Sequence, residues 1–370
     1  MRKTEFIYGG DIDIVACVYR LKRAGAVTLL TLRAEGMLVQ AVYSPSTCSA
    51  PLEGLNAGAF ISLKGTVREE SRAPHGFEIT LKDFNILACP AEDNALPDPH
   101  MLSVMRLRNG ITGAFCKYMR DNGFTETHSP YIRSAYSDDG MLFKLKYFDK
   151  DAVLSDSPRI FLERSAMISD RVFEISHAFC ADRHNSPRHL AEYTRMDLEM
   201  NYINSASEIM TVTDAVINDI INSLNSFYKN DLDILSANAT APGKIPSIAF
   251  YDAMDILKRP HSRPDLDPTD ERKLSVYAES EFCNDFLYIT NLPAVKRPPY
   301  EARSDENAAL CDGFILLYRG MEIASGGKHM CAGMPSHGGV GIGLERLLMQ
   351  LASLDNIRDA TLFVRDMHNI

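Results

Sequence analysis

Between residues 12 and 87 the chain alternates apolar and polar positions in five short runs: "IDIVACVYRL", "VTLLTLR", "MLVQAVYS", "AFISLKGTVRE" and "GFEITLKDFNIL". That period of two is the mark of half-buried strands. Turn-forming stretches separate them: "RAGA", "AEG", a longer "SPSTCSAPLEGLNAG" and the hairpin "ESRAPHG". Five such strands predict a small closed barrel of the OB type, with a plain β-sandwich as the alternative. After the polar, proline-bearing stretch "CPAEDNALPDPH" the period changes. Ile111, Ala114, Phe115, Tyr118 and Met119 fall on one helical face, and Gly123 ends that helix. A second helix is expected from Ser205, with Glu208 completing a capping box and Val212, Val216, Ile220 and Leu224 stacked every four residues. Strand-like runs follow in clusters: "FKLKYF", "RVFEISHAF", "RMDLEMNYIN", "DFLYITNL" and "FILLYRGMEIAS". Clustering, as opposed to strict strand–helix alternation, predicts an α+β domain with a mainly antiparallel sheet. The expected organisation is a barrel over 1–90, a linker over 91–101 and the α+β domain over 102–370.

Composition narrows the class. With 370 residues and 45% hydrophobic content the chain can bury a large core, and two domains are expected. A net charge of −10 opposes a phosphate backbone unless a local basic patch overrides it. The N-terminal stretch has no uninterrupted apolar segment and no later run has membrane-spanning length, so a soluble, cytoplasmic protein without membrane partners is expected. The eight cysteines form no C-x-x-C pair and have no histidine at zinc-finger spacing; reduced thiols, most of them small core residues, are expected. No glycine loop of the Walker or dinucleotide type is present, so a nucleotide site must be built from side chains on strands.

Three stretches, in order, carry a resemblance: "NGFTETHSPYIRSA" with Pro130, "RVFEISHAFCADRHNSPRHLAEYTRMDLEM" and "GGVGIGLERLLMQLASLDNIRDATLFVRD". Together with "FKLKYFDKDAVLSDSPRIFLE", "RPPYEARSDENAAL" and "YRGMEIASGGKHM", they resemble the three motifs of class II aminoacyl-tRNA synthetases, and most closely the aspartyl/asparaginyl branch in its short archaeal-type form. The resemblance implies an N-terminal OB barrel that reads an anticodon, then an antiparallel sheet flanked by helices that carries ATP and an amino acid. It also implies a homodimer formed through motif one.

Matching residue by residue, the resemblance places Arg346 on the γ-phosphate, where a guanidinium fork suits phosphate oxygens. It places Arg188 and His189 on the outer phosphates, Tyr193 against adenine, and Gly343 at the ATP site. Glu322 and Ser325 match the pair that holds Mg²⁺, a hard cation that requires oxygen ligands. Asp182 stands at the motif-two acid, and Asp197 at the carboxylate that holds an α-ammonium. ATP and Mg²⁺ are therefore the expected cofactors.

The acid side departs from the pattern. "SPRIFL" keeps Ser157 but sets Arg159 and Leu162 where glutamine and lysine serve the substrate. "SGGKHM" sets His329 where an arginine clamps the side-chain acid, and "YSDDG" sets Ser137 or Asp138 where a glutamate stands. Cys180 occupies the position of the motif-two arginine, which bridges the α-phosphate and the reacting carboxylate; removing such a donor typically costs about 10²–10³-fold in rate. In the barrel Leu29 replaces a ring that stacks on an anticodon base, while Arg33 and Gln40 match; weak or absent tRNA binding is expected.

These departures give the leading expectation of a divergent paralogue. It adenylates a small-molecule carboxylate, an amino acid or a relative of one, and passes the acyl group to an amine or ammonia. The alternatives are an aspartate– or asparagine–tRNA ligase, and an inactive regulatory module that binds ATP or an amino acid. A further possibility makes Cys180 a nucleophile, activated by His177, Arg183 or His184.

Overall fold

The computed structural model describes residues 6–34, 36–89, 99–134, 141–183, 186–331 and 333–369. The period-two runs form β1 (Asp11–Ala24), β2 (Val27–Ala34), β3 (Met37–Tyr43), β4 (Phe60–Glu69) and β5 (Phe77–Ala88). Alternation sets the inside: in β2, Thr28, Leu30, Leu32 and Ala34 are buried while the residues between them are not. The strands close in the order β1-β2-β3-β5-β4, with β3 and β5 parallel and the other pairs antiparallel. Closure removes the sheet edges and packs Leu30, Leu32, Val39, Ile61, Leu63 and Ile79 into one core. Gly65 sits at an irregularity of the β4–β5 pairing, where a Cβ would lie 2.6 Å from Ile79 Cγ2 and 2.7 Å from the Thr80 oxygen.

The chain divides into compact units Met1–Leu102 and Ser103–Ile370. The expected linker, 91–101, lies for the most part outside the described residues. Helix α1 (Pro99–Asp121) is followed by β6 (Thr125–Glu126), β7 (Ile132–Ser134), β8 (Lys144–Tyr147) and β9 (Lys150–Leu154). Next come α2 (Arg159–Ala166), β10 (Arg171–Phe179), β11 (Glu192–Asn201), α3 (Ala206–Phe227) and α4 (Lys229–Ile234). The remainder is β12 (Ser247–Ala249), α5 (Phe250–Ile256), α6 (Pro268–Phe282), β13 (Phe286–Pro293), β14 (Leu310–Tyr318), β15 (Met321–His329), β16 (His337–Gly343) and α7 (Leu344–Leu351).

Eight of these strands form one sheet in the order β12-β13-β14-β15-β16-β11-β10-β6, and β7-β9-β8 form a smaller one. The large sheet is antiparallel except where β6 meets β10 and β12 meets β13, as the clustered runs predict. Helix α3 packs on β14, β15 and β16 and buries Ile209, Val216, Ile220 and Leu224, the last beside Gly110 of α1, whereas Val212 of the expected stripe is only half-buried. A Cβ on Gly338 of β16 would lie 2.7 Å from Ile209 Cδ1, so the even-numbered side of that strand faces α3 and Gly339 and Gly341 face the other way. The fold is the expected one: a five-stranded barrel followed by an antiparallel sheet flanked by helices. No helix among the described residues is long and apolar enough to cross a membrane.

Several local expectations are corrected. Strand β11 begins at Glu192, not at Arg195, because Thr194 and Tyr193 continue the pairing with β10. "FILLYRGMEIAS" is a hairpin of β14 and β15, whose turn places Arg319 (φ 46) and Gly320 (φ 83) in left-handed backbone. Ser205 caps α3 by accepting from the Ser207 N–H, but the Glu208 carboxylate accepts from the Asn204 N–H at 2.7 Å, one residue earlier than a capping box requires. Such a box stands instead at α6, between Asp267 and Asp270. The cysteines are not mostly core: Cys17, Cys48 and Cys311 are buried, whereas Cys89, Cys283 and Cys331 are exposed, Cys283 serving as the left-handed cap of α6.

The α3 stripe makes a direct check. Leu224→Ala, at a fully buried position, is expected to destabilise the protein by about 2–5 kcal/mol in urea unfolding monitored by circular dichroism.

Candidate active site

Strand β11 turns its odd-numbered Tyr193, Arg195, Asp197 and Glu199 to one side of the sheet. Beside it β16 pairs Gly343 with Arg195, Gly341 with Asp197 and Gly339 with Glu199. A Cβ at Gly341 would overlap the Arg195 guanidinium and lie 2.5 Å from Asp197 Oδ1, and one at Gly339 would overlap the Glu199 carboxylate. The missing side chains let three charged groups lie flat across the neighbouring strand.

Two cavities meet over this floor. The first, of about 320 Å³, is lined by Cys180, Asp182, Arg188, His189 and Tyr193 from β11 and the segment before it, and by Glu322, Ser325, Gly343 and Arg346 from β15, β16 and α7. The seven residues matched to ATP by resemblance are thus brought together, with Cys180 and Asp182 beside them. Arg346 Nη1 donates to the Glu322 carbonyl at 3.0 Å. Arg188 is ion-paired with the buried Glu271, whose carboxylate also accepts from the Glu322 N–H at 3.4 Å. Burial pushes the Glu322 carboxyl up; the Arg346 charge opposes this and Glu271 adds to it. A half-buried carboxylate and a hydroxyl on the same strand, both lining this cavity, are oxygen donors of the kind Mg²⁺ takes.

The second cavity, of about 360 Å³, is lined by Ser157, Arg159, Leu162, Asp197, Glu199 and His329 and shares Tyr193, Arg195, Ser325 and Gly341 with the first. Arg159 donates twice to Glu163 Oε1, at 2.9 and 2.8 Å, and its guanidinium lies 3.0 Å from the centre of the Tyr300 ring. Arg297, on the same wall, pairs with the buried Glu301. Burial raises the Glu199 carboxyl to about 8. Burial, then the Arg159 charge, lowers His329 to about 3, so that imidazole is neutral. Ser137 and Asp138 lie outside the described residues.

Arg195 went unassigned in the sequence, although its two-residue spacing from Asp197 puts both on one strand face. Its Nε and Nη2 donate to the Asp197 carboxylate at 3.1 and 2.7 Å. Burial alone pulls its pKa down, but the Asp197 charge and hydrogen bonds more than offset this and raise it. Arg195 is therefore a held cation at the junction of the two cavities, on the wall that Cys180 also lines. Cys180 is half-buried, and its N–H donates to the Ala191 carbonyl at 2.9 Å. His177 faces Glu192 at 3.2 Å and lines a different cavity, while Arg183 is exposed and His184 lies outside the described residues. In the barrel, Leu29 and Arg33 share the outward side of β2, and Gln40 on β3 donates to Glu78 at 3.0 Å.

A family model described as tRNA synthetases class II (D, K and N) matches residues 95–331 and 327–367. An aspartate–tRNA(Asp/Asn) ligase of Deinococcus radiodurans is 29% identical, covering 98% of this chain and 96% of its own. An aspartate–tRNA(Asp) ligase of Pyrococcus horikoshii is 28% identical, over 99% and 97% of the two chains. Among solved structures, asparaginyl-tRNA synthetase from Pyrococcus horikoshii complexed with asparaginyl-adenylate superposes with a TM-score of 0.84 at 23% identity, over 98% and 96% of the chains. The Entamoeba histolytica asparaginyl-tRNA synthetase gives 0.86 at 20% identity, over 100% and 98%. The chain belongs to the class II tRNA synthetases of the D, K and N group, in the aspartyl/asparaginyl branch.

Proposed function

We propose that this protein is an ATP-dependent ligase that activates a small-molecule carboxylic acid as an acyl-adenylate and transfers the acyl group to an amine or ammonia. The observation that carries the reading is the pair of cavities joined over Arg195: one holds the residues matched to ATP, and in the other Arg159 and Arg297 are already paired with Glu163 and Glu301, while Leu162 and His329 stand where the resemblance sets a lysine and an arginine. In the first, Arg346 and Arg188 bind the outer phosphates, His189 and Asp182 border them, and Tyr193 lies against the base. Glu322 and Ser325 would hold Mg²⁺, which neutralises charge on the phosphate oxygens when bound. In the second, Ser157, Arg159 and His329 border the acid.

The reaction requires an oxygen of the acid's carboxylate to attack the α-phosphorus while the bond from that phosphorus to the β-phosphate oxygen breaks and pyrophosphate leaves. The amine then attacks the acyl carbon and AMP departs. Negative charge builds between the α-phosphate and the carboxylate in the first step, and a pre-organised cation there is the largest single contribution that such a site makes. Cys180 cannot supply it. Arg195 can, because it enters the same junction from the neighbouring strand and Asp197 and Gly341 hold it in place. Asp197 already meets a guanidinium, so an α-ammonium has to compete with Arg195 to reach it. A homodimer belongs to the same reading.

A second reading, ligation of aspartate or asparagine to tRNA, is favoured by one observation: the chain matches full-length tRNA ligases from end to end. Leu29 in place of the stacking ring counts against it.

ATP–pyrophosphate exchange over a panel of amino acids and their α-hydroxy counterparts separates these readings. Exchange with an acid other than aspartate or asparagine, and hydroxamate formation from added hydroxylamine without tRNA, is expected; charging of total tRNA with labelled aspartate or asparagine favours the second reading. With the active acid, Arg195→Gln is expected to lower exchange by about 10²–10³-fold. Adding Cys180→Arg to that variant is expected to restore part of the loss, and an unchanged rate in Arg195→Gln contradicts the assigned role.

A further inference from the structure

We infer that the floor of the acid-side cavity is a binding site for one first-row divalent cation of the zinc class, held by Glu163, Glu199, His329 and His337. One potential ligand atom from each of the four residues falls in a group whose members all lie within 4.8 Å of one another. Two imidazoles and two carboxylates form a nitrogen and oxygen set that suits zinc and its neighbours and does not suit magnesium, which prefers oxygen alone.

His337 is the independent observation. It is fully buried, and its Nδ1 lies 2.8 Å from the Pro335 carbonyl. A carbonyl oxygen only accepts, so Nδ1 carries the proton and Nε2 presents a bare lone pair. Among the described residues that Nε2 has no hydrogen-bond partner. An orphaned acceptor of this kind in the interior costs free energy unless something positive meets it. Fixing one ring nitrogen on a carbonyl while the other ligates is how metal-binding histidines are oriented.

The other three groups are poised likewise. His329 is buried, with Nδ1 2.9 Å from Glu199 Oε1. Glu199 is nearly inaccessible, so its carboxylate can reach no bulk cation, and its oxygen lies within the same 4.8 Å group. Glu163 is oriented by the two Arg159 bonds to Oε1, and Arg159 is itself fixed on the Tyr300 ring. Gly339 leaves the space in which Glu199 lies. The four positions lie on α2, β11, β15 and β16, and apart from His329 and His337, which flank one β-hairpin connection, they are distant in the sequence.

A cation here would present a Lewis acid to a distal oxygen or nitrogen donor of the acid. That consequence rests on the proposed function; the binding of the cation does not.

The test is metal stoichiometry on the full chain. Protein stripped with EDTA and dialysed against Zn²⁺ is expected to take up about one tightly held equivalent per chain, and Co²⁺ in its place is expected to give visible d–d absorption of low-symmetry coordination. His329→Ala and His337→Ala, and the near-isosteric Glu199→Gln, are expected to weaken Zn²⁺ affinity by more than about a hundredfold. An unaltered cooperative melt in at least Glu199→Gln shows that the loss is not one of folding. Uptake by the parent no greater than by the His329→Ala/His337→Ala double variant, or a Co²⁺ spectrum unchanged by all three substitutions, overturns the inference. Failure of pyrophosphate exchange with every acid leaves the stoichiometry as a separate result, so the two proposals fall independently.

Discussion

The absence of a Cβ at Gly339 and Gly341 is the constraint on which the rest of the site depends. In an ordinary antiparallel sheet, side chains of adjacent strands stand side by side and fill the surface. Here β16 presents bare backbone to that face, so Arg195, Asp197 and Glu199 of β11 lean over it. The lean leaves two cavities open on one face of a sheet whose other face packs on α3. The same strand satisfies both demands by alternation: Gly338 allows the close approach of Ile209, and its odd-numbered neighbours leave space for charge.

From this floor follows the distribution of cations. The outer guanidiniums, Arg188 and Arg346, are each tied to an acid-bearing element, through Glu271 and through the Glu322 carbonyl. The inner one, Arg195, is tied to Asp197. Positive charge at the junction of the two cavities therefore comes from β11, through Arg195, and not from Cys180 at the end of β10. Deeper in the second cavity Leu162 and the neutral His329 carry no charge, and Arg159 and Arg297 on its wall are paired with Glu163 and Glu301.

Much of the architecture was legible in the sequence because local pattern and tertiary demand agreed. The barrel strands alternate cleanly, and each was found to within a few residues. The apolar stripe of α3 packs where the pattern put it, yet Glu208 caps Asn204 and not Ser205, a choice made by side-chain reach. That Arg188 and Arg346 line one cavity is legible only through motif resemblance, since they are separated by most of the domain. Arg195 was overlooked because no motif marks it; its meaning comes from Gly341 and Asp197 on the same floor. The Glu163, Glu199, His329 and His337 group could not be read from spacing, since its members meet only when β11, β15 and β16 pair. The expectation of buried cysteines failed because cap and turn geometry, as at Cys283, and not apolarity, placed several of them.

The central claim is that Arg195 faces the reacting phosphate in place of the residue lost at Cys180. A crystal structure of the protein with Mg²⁺ and a non-hydrolysable ATP analogue tests it most directly. The account predicts the γ-phosphate against Arg346, the metal against Glu322 and an α-phosphate oxygen within hydrogen-bond distance of the Arg195 guanidinium. An α-phosphate that meets no contact from Arg195, or a nucleotide bound away from the cavity of Glu322 and Arg346, would contradict it.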